Sequence, residues 1–324
     1  MTGAMTAATT DTSASTGIRN LPWQKVTIAV VIVALAVLCA TTPQFFTINN
    51  AKAILASASI VGLAALGGTF IMIVGSIVSL ATAQTMAVIA MVFLASQQLG
   101  LVPAIAVALL AGAAIQAIQG ALVGYWSANP VVLTIAAAFA LTGLATFVTG
   151  GTTVYPTVNN FEVLNSTPLG IPLSVFVFIG AAVLAEIILR RTVRGQQMYL
   201  VGENRRAARA AGLPVPHIVL FAWVVGGVLL AVGALFLAAF NTTATINLGG
   251  TITFDAIAAV LAGGTAIAGG KGSALRTVGG TLAIAIIADL LLLRGFSTGA
   301  QLLVKGLLVL VLVIVVHLES KREK

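Results

Sequence analysis

The feature that most constrains this chain is a long succession of apolar runs with little polar sequence between them. They fall at about 26–42, 53–75, 77–97, 101–125, 131–149, 171–189, 217–240, 255–268, 274–293 and 298–316. A helix that crosses a bilayer needs roughly 20 predominantly apolar residues, and most of these runs meet that length. Only 7% of the residues are charged while 59% are hydrophobic, too little polar surface to solvate a soluble globule. The expectation is an all-α integral membrane protein of about ten transmembrane helices, with 255–268 too short to span cleanly. Residues 1–20 read as a disordered cytoplasmic tail, 21–317 as the membrane domain, and 318–324 as a second cytoplasmic tail.

Charge sets the orientation. With ten crossings and an internal N-terminus, the internal segments collect Arg19, Lys25, Arg190, Arg191, Arg194, Arg205, Arg206, Arg209, Lys271, Arg276, Lys321, Arg322 and Lys324. Lys52 and Arg294 fall in external turns, so both termini are expected in the cytoplasm. Trp23, Trp126 and Trp223 are placed near internal ends as interfacial tryptophans. The net charge of +8 comes without basic–aromatic surfaces that stack bases, which argues against a nucleic-acid partner. Cys39 is the only cysteine, and His217 and His317 stand far apart, so no metal site is expected.

The longest polar interval between two apolar runs is 190–216, RRTVRGQQMYLVGENRRAARAAGLPVP, with six arginines against Glu203. Arg190, Arg191 and Arg194 follow an apolar run and suit an anionic lipid surface. Further on, Glu203 and Asn204 offer an acid and a cap, Arg209 loads the last turn, Gly212 suits a left-handed stop, and Pro214 prevents continuation. A helix of about two turns is marginal alone in water and needs a surface to pack on. A lipid-surface helix carries bulky apolar residues, whereas Ala207, Ala208, Ala210 and Ala211 are small and suit a protein groove.

No acid–base pair, nucleophile or metal cluster stands out, so no enzymatic activity is expected. The stretch TAIAGGKGS at 265–273 only approaches a phosphate-binding loop, because Thr265 and Gly272 replace the required glycine and hydroxyl residue. Ionisable residues inside the spans are few: Glu186, Asp255, Asp289 and Lys305. Glu186 is four residues before Arg190 and reads as a helix pair; Asp255 reads as an N-terminal helix charge. Asp289 and Lys305 flank the turn at 294–299 at similar depth, roughly 12 Å in, and are expected to neutralise each other directly or across a subunit interface. An ion-gradient-driven carrier using Asp255 or Asp289 remains the alternative.

Four segments resemble the permease subunits of ribose-type ABC sugar importers, a family that includes arabinose, xylose, galactoside and autoinducer-2 permeases. They are PQFFTINN (43–50), TVRGQQMYLVGENRRAARAAGLPV (192–215), FDAIAAVLAGGTAIAGGKGS (254–273) and QLLVKGLLVLVLVIVV (301–316). The resemblance runs from about residue 25 to the end. It implies an ABC importer permease fold in the bacterial plasma membrane, a second permease copy, and an ATPase subunit below. A periplasmic or lipid-anchored solute-binding protein would deliver the solute from outside. It also implies a coupling helix that includes Glu203, Asn204, Arg205, Arg206, Arg209 and Gly212, and a motif loop containing Gly263, Gly264, Gly269, Gly270, Lys271 and Gly272. The chain would hold no cofactor, ATP being used by the partner. A permease for nucleosides or another small polar solute is a further alternative. Two departures imply either a pore more apolar than for a typical pentose or pairing with a different permease that keeps the acid. In GSIVSLAT (75–82), Ile77 and Ala81 stand where the family has an acid and a glycine; IADLLLL (287–293) replaces a common asparagine pair.

Overall fold

The structure, a computed structural model, describes residues 38–76 and 79–322. The chain divides into two compact units, Met1–Thr42 and Pro43–Lys324. Of the first, only 38–42 are described, a helical turn in which the hydroxyls of Thr41 and Thr42 donate to the Leu38 carbonyl at 3.2 and 2.6 Å. The apolar run at 26–42 therefore lies almost wholly outside the described residues, as does Trp23.

The second unit is helical, with a lone antiparallel bridge, Val154 to Ala244, as its one strand-like pairing among the described residues. In chain order the helices are α1 (Ile48–Ile73), α2 (Thr82–Ala95), α3 (Leu101–Gly124), α4 (Pro130–Thr149), α5 (Leu173–Arg191), α6 (Val193–Glu203), α7 (Arg205–Ala210), α8 (Val215–Asn241), α9 (Ile252–Ala262), α10 (Ala274–Leu293) and α11 (Thr298–Arg322). Seven helical segments among the described residues are long and apolar enough to cross a membrane: α1, Thr82–Leu99, α3, α4, α5, α8 and α10. The apolar stretches Ile252–Ala262 and Thr298–Leu310 are shorter. Of the run expected as one span at 77–97, the described residues 79–81 precede the helix, which starts at Thr82. The short run at 255–268 is an eleven-residue helix, α9, that stops at Gly263 and opens into a loop.

Local chemistry explains several ends. Asn129 caps α4 by accepting from the Val131 N–H, Pro130 opens its first turn, and Gly150 closes it in the left-handed conformation at φ 64°. In lipid, each helix must satisfy its backbone internally, so irregular backbone is confined to places covered by protein.

Helix α8 is the axis of the bundle and packs against α1, α2 and α3. Its approach to α3 depends on glycine. A Cβ at Gly227 would sit 2.4 Å from the Gly112 carbonyl oxygen, and one at Gly112 would sit 2.6 Å from the Gly227 oxygen. Small residues let helix backbones come this close, and in a bilayer such packing replaces the hydrophobic effect as the main source of association. Trp223, expected at the membrane interface, is instead fully buried beneath Gly120, whereas Trp126 is exposed as expected. By contrast α4 leaves Val132, Ile135, Phe139, Leu144, Phe147 and Val148 exposed, an apolar face suited to acyl chains.

A branched side chain at the α3–α8 crossing meets backbone that has nowhere to go. Gly227→Val is expected to cost about 2 kcal/mol or more through overpacking, read as a melting temperature several degrees lower in detergent. Gly143→Ala, on α4 with nothing within 4 Å of the new methyl, is expected to leave that temperature unchanged or slightly higher.

Candidate functional site: a glycine junction and a buried charge pair

The polar interval after α5 folds as two helices at an angle. Thr192 caps α6, its hydroxyl oxygen accepting from the Gly195 N–H at 3.0 Å. Asn204 then ends α6 and starts α7: its backbone is extended, and its Oδ1 accepts from the N–H groups of Arg206 and Ala207, both at 3.0 Å. The far end of α7 closes as a Schellman motif. Gly212, at φ 78°, donates to the Arg209 carbonyl and Leu213 to the Ala208 carbonyl, each at 3.0 Å. The expected short helix is present, with Asn204 as its cap and Glu203 as the last residue of the helix before it.

Of α7 only Ala208 is buried; Arg206, Ala207, Arg209 and Ala210, with Ala211 and Gly212 after them, are exposed. Arg205 turns the other way. Its Nη2 donates to the Val74 carbonyl at 3.3 Å and to Ser76 Oγ at 3.2 Å, so it anchors the helix inward. Burial, with a smaller contribution from Arg209, lowers the Arg205 pKa from its usual value.

Beneath α7 three backbone segments meet almost without side chains. The Gly270 N–H donates to the carbonyl of Ile73, the last residue of α1, at 3.0 Å. A Cβ on Gly202 would lie 1.8 Å from that same oxygen and 2.5 Å from the Gly270 nitrogen; one on Gly269 would lie 2.5 Å from Gly75 Cα. Tyr199 donates to the Gly272 carbonyl at 3.0 Å, and its burial, aided by Glu186, pushes the phenol pKa up. The start of α10 is held from α5: the Glu186 carboxylate accepts from Ser273 Oγ (3.1 Å to each oxygen) and from the Leu275 N–H (3.2 Å), while pairing with Arg190. The Glu186–Arg190 pair is the one expected; its extension to α10 is not visible in the sequence.

The six motif residues all lie in or beside this loop between α9 and α10. Gly263 caps α9, Gly264, Gly269 and Gly270 have positive φ, Gly272 lies against Ile73, and Lys271 is exposed. Gly75, Ser76, Tyr199 and Gly202 complete the junction and were not among the expected site residues. Their sequence signal is faint, a glycine at each of two helix ends. Ile77, one of the two departures in GSIVSLAT, lies outside the described residues.

The buried charges pair differently from the expectation. Lys305 does not meet Asp289. Its Nζ lies 2.9 and 3.0 Å from the two oxygens of Asp255 and 3.2 Å from Thr251 Oγ1, and Thr251 donates to Asp255 Oδ2 at 2.7 Å. Asp289 Oδ2 instead accepts from Asn50 Nδ2 at 2.8 Å. The reason is rotational: α11 packs mainly on α9 and only weakly on α10, so two residues at equal depth on a hairpin face different neighbours. Asp255 does lie in the first turn of α9, as an N-terminal charge would.

Among the described residues no three His, Cys, Asp or Glu side chains are grouped to hold a metal. The arrangement is mechanical. A helix exposed on its outer side is fixed through Arg205 and glycine backbone to the end of α1 and to the loop that carries α9.

These features define a membrane permease component. A family described as "Branched-chain amino acid transport system / permease component" matches residues 50–316, and the chain belongs to it. The ribose import permease protein RbsC of Escherichia coli K12 is 29% identical over 296 residues, covering 88% of this chain and 90% of that protein. The probable ABC transporter permease protein YphD of the same organism is 31% identical over 297 residues, 91% and 90% of the two chains. The autoinducer 2 import system permease protein LsrD of Photorhabdus laumondii is 25% identical over 300 residues, 90% of each. No solved structure matches. The resemblance drawn from the four sequence segments is thereby borne out.

Two variants probe the site. Gly202→Ala forces α6 off the loop, and the Gly270 amide is expected to exchange with solvent more than about tenfold faster; Gly279→Ala, in open space, leaves it unchanged. Lys305→Met strands a nearly buried carboxylate and is expected to cost about 3 kcal/mol or more in thermal unfolding, with partial recovery in the Asp255→Lys/Lys305→Asp exchange. Asp289→Asn, which loses only a bond from a neutral amide, is expected to cost much less.

Proposed function

We propose that the chain is the transmembrane subunit of an ABC importer in the bacterial plasma membrane and forms the path for a sugar or sugar-like polyol. The relatives named for ribose and autoinducer-2 import, matched along nine-tenths of their length, support that solute class. An ATPase subunit docks at α7 from the cytoplasm, a solute-binding protein delivers the solute from outside, and a second permease copy completes the pathway. The chain itself holds no cofactor; the ATPase partner consumes the ATP. Ten crossings with both termini cytoplasmic accord with this reading, the first crossing being supplied by the run at 26–42.

The observation that carries the proposal is α7 itself. A six-residue helix closed at both ends, held to the membrane bundle by Arg205 and presenting Arg206, Arg209, Ala207 and Ala210 outward, is built to enter a groove. Closure of the ATPase pair on ATP would push α7, and through it the glycine junction, the ends of α1 and α9. An ion-driven carrier finds less support, because Asp255 is already neutralised by Lys305 and Asp289 is held by Asn50.

Co-expression with the cognate ATPase subunit tests this. Wild-type chain is expected to retain the ATPase through purification, and Arg206→Glu/Arg209→Glu to weaken retention at least about tenfold, a loss of ~1.4 kcal/mol. A stable chain that never binds an ATPase, or binds it regardless of those charges, sinks the docking role. Sugar uptake that survives dissipation of the ion gradient while ATP is supplied removes the ion-driven reading.

A further inference from the structure

A cavity of about 430 Å³ lies between the N-terminal half of α1, the C-terminal end of α8, residues 248–251, the first turn of α9 and the stretch of α10 near Ala288. It is far from the docking helix. Ser57 on its wall precedes Ile73 by sixteen residues, roughly 24 Å along the α1 axis. With α7 cytoplasmic, the cavity belongs to the external half of the membrane domain. A smaller cavity of about 240 Å³ shares Ala56, Ile60 and Phe240 with it and is otherwise bounded by residues of the loop at 164–172, by Ser174 and by Phe236.

The wall is mostly alanine, leucine, isoleucine and glycine, with polar groups from Ser57, Asn241, Thr251, Asp255 and Lys305. A mostly apolar chamber of this size with a few convergent polar groups is the general form of a small-molecule site. Two further observations point the same way. The backbone between α8 and α9 is irregular where residues 248–251 line the cavity, a form that membrane proteins tolerate at such walls. Asp255 and Lys305, with side chains only 9% and 13% exposed, spend an ion pair in a place where two apolar residues would pack as well. An intramembrane ionisable pair on a cavity wall is a marker of a solute path.

The charge state selects the ligand. Asp255 and Lys305 already cancel each other, and Thr251 donates into the same carboxylate. An anion or a cation would enter with an unbalanced charge in a medium that strongly disfavours it. A zwitterion would have to break the existing pair to form its own. A neutral compound with several hydroxyl groups can accept from the ammonium and donate to the carboxylate while leaving the pair intact, and Asn241, held by its donation to the Leu237 carbonyl at 2.8 Å, adds an amide.

We propose that this cavity is a transit site for a neutral polyhydroxylated solute, with Asp255, Lys305, Thr251 and Asn241 as its specificity-determining contacts. The proposal rests on the reading of the chain as a sugar permease. A transit site holds its ligand weakly, because release must follow, so occupancy appears only at high solute concentration.

The test is thiol protection in the full-length chain. In Cys39→Ala/Ser57→Cys, purified in detergent, a charged methanethiosulfonate reagent labels the cavity wall. D-ribose and ribitol at high millimolar concentration are expected to slow labelling up to about fivefold, following simple occupancy, and L-leucine to have little effect. Adding Lys305→Met is expected to abolish the protection while labelling without solute continues; Asn241→Ala, which leaves the ion pair in place, is expected to reduce it and covers the case in which Lys305→Met does not fold. Absence of labelling in folded protein, absence of protection by both polyols, or equal protection by leucine would overturn the proposal. ATP-driven sugar uptake by a chain whose thiol is unprotected would overturn this site while leaving the permease reading in place.

Discussion

One contact ties one end of this bundle together: the Gly270 N–H donating to the Ile73 carbonyl, with Gly202 lying against both. It joins the end of α1, the end of α6 and the loop after α9 through main-chain atoms, with no side chain between them to absorb displacement. Rigid close packing of this kind transmits movement instead of damping it. Arg205 brings α7 into the same unit by reaching the Val74 carbonyl and Ser76. The exposed helix is thereby fastened to the end of α1 and, through the glycine contacts, to the loop after α9.

The consequences run the length of the bundle. α1 carries the junction at one end and the wall of the larger cavity in its other half; α9 hangs from the junction loop and offers Asp255 to Lys305 from its first turn. A helix of only eleven residues cannot cross the bilayer alone. Its shortness leaves room for the loop below and for the irregular residues above, which line the cavity. The same backbone break that disqualifies 255–268 as a clean span thus makes space at both ends.

Much of the fold was legible in the sequence, because apolar length and end chemistry are local properties. The runs at 101–125, 131–149, 171–189, 217–240 and 274–293 became α3, α4, α5, α8 and α10 with small shifts at their ends. The cap at Asn204, the left-handed stop at Gly212 and the pairing of Glu186 with Arg190 could each be read from neighbours within a few residues. The run at 77–97 was less legible: its apolar character gave no warning that 79–81 stay outside the helix that starts at Thr82.

Sequence alone determined that the chain is a succession of apolar helices, where a short capped helix interrupts them, and to which family such an order of motifs belongs. Tertiary structure alone decided which faces of those helices meet. Position along a helix sets the depth of a side chain in the membrane, but its direction depends on rotation about the axis and on the neighbour that happens to be there. For that reason Lys305, expected opposite Asp289, meets Asp255, and Trp223 lies beneath Gly120 instead of at the surface. Glycines 75, 202, 269 and 270 are unremarkable apart in the chain; only the packing of α1, α6 and the α9–α10 loop turns them into a joint.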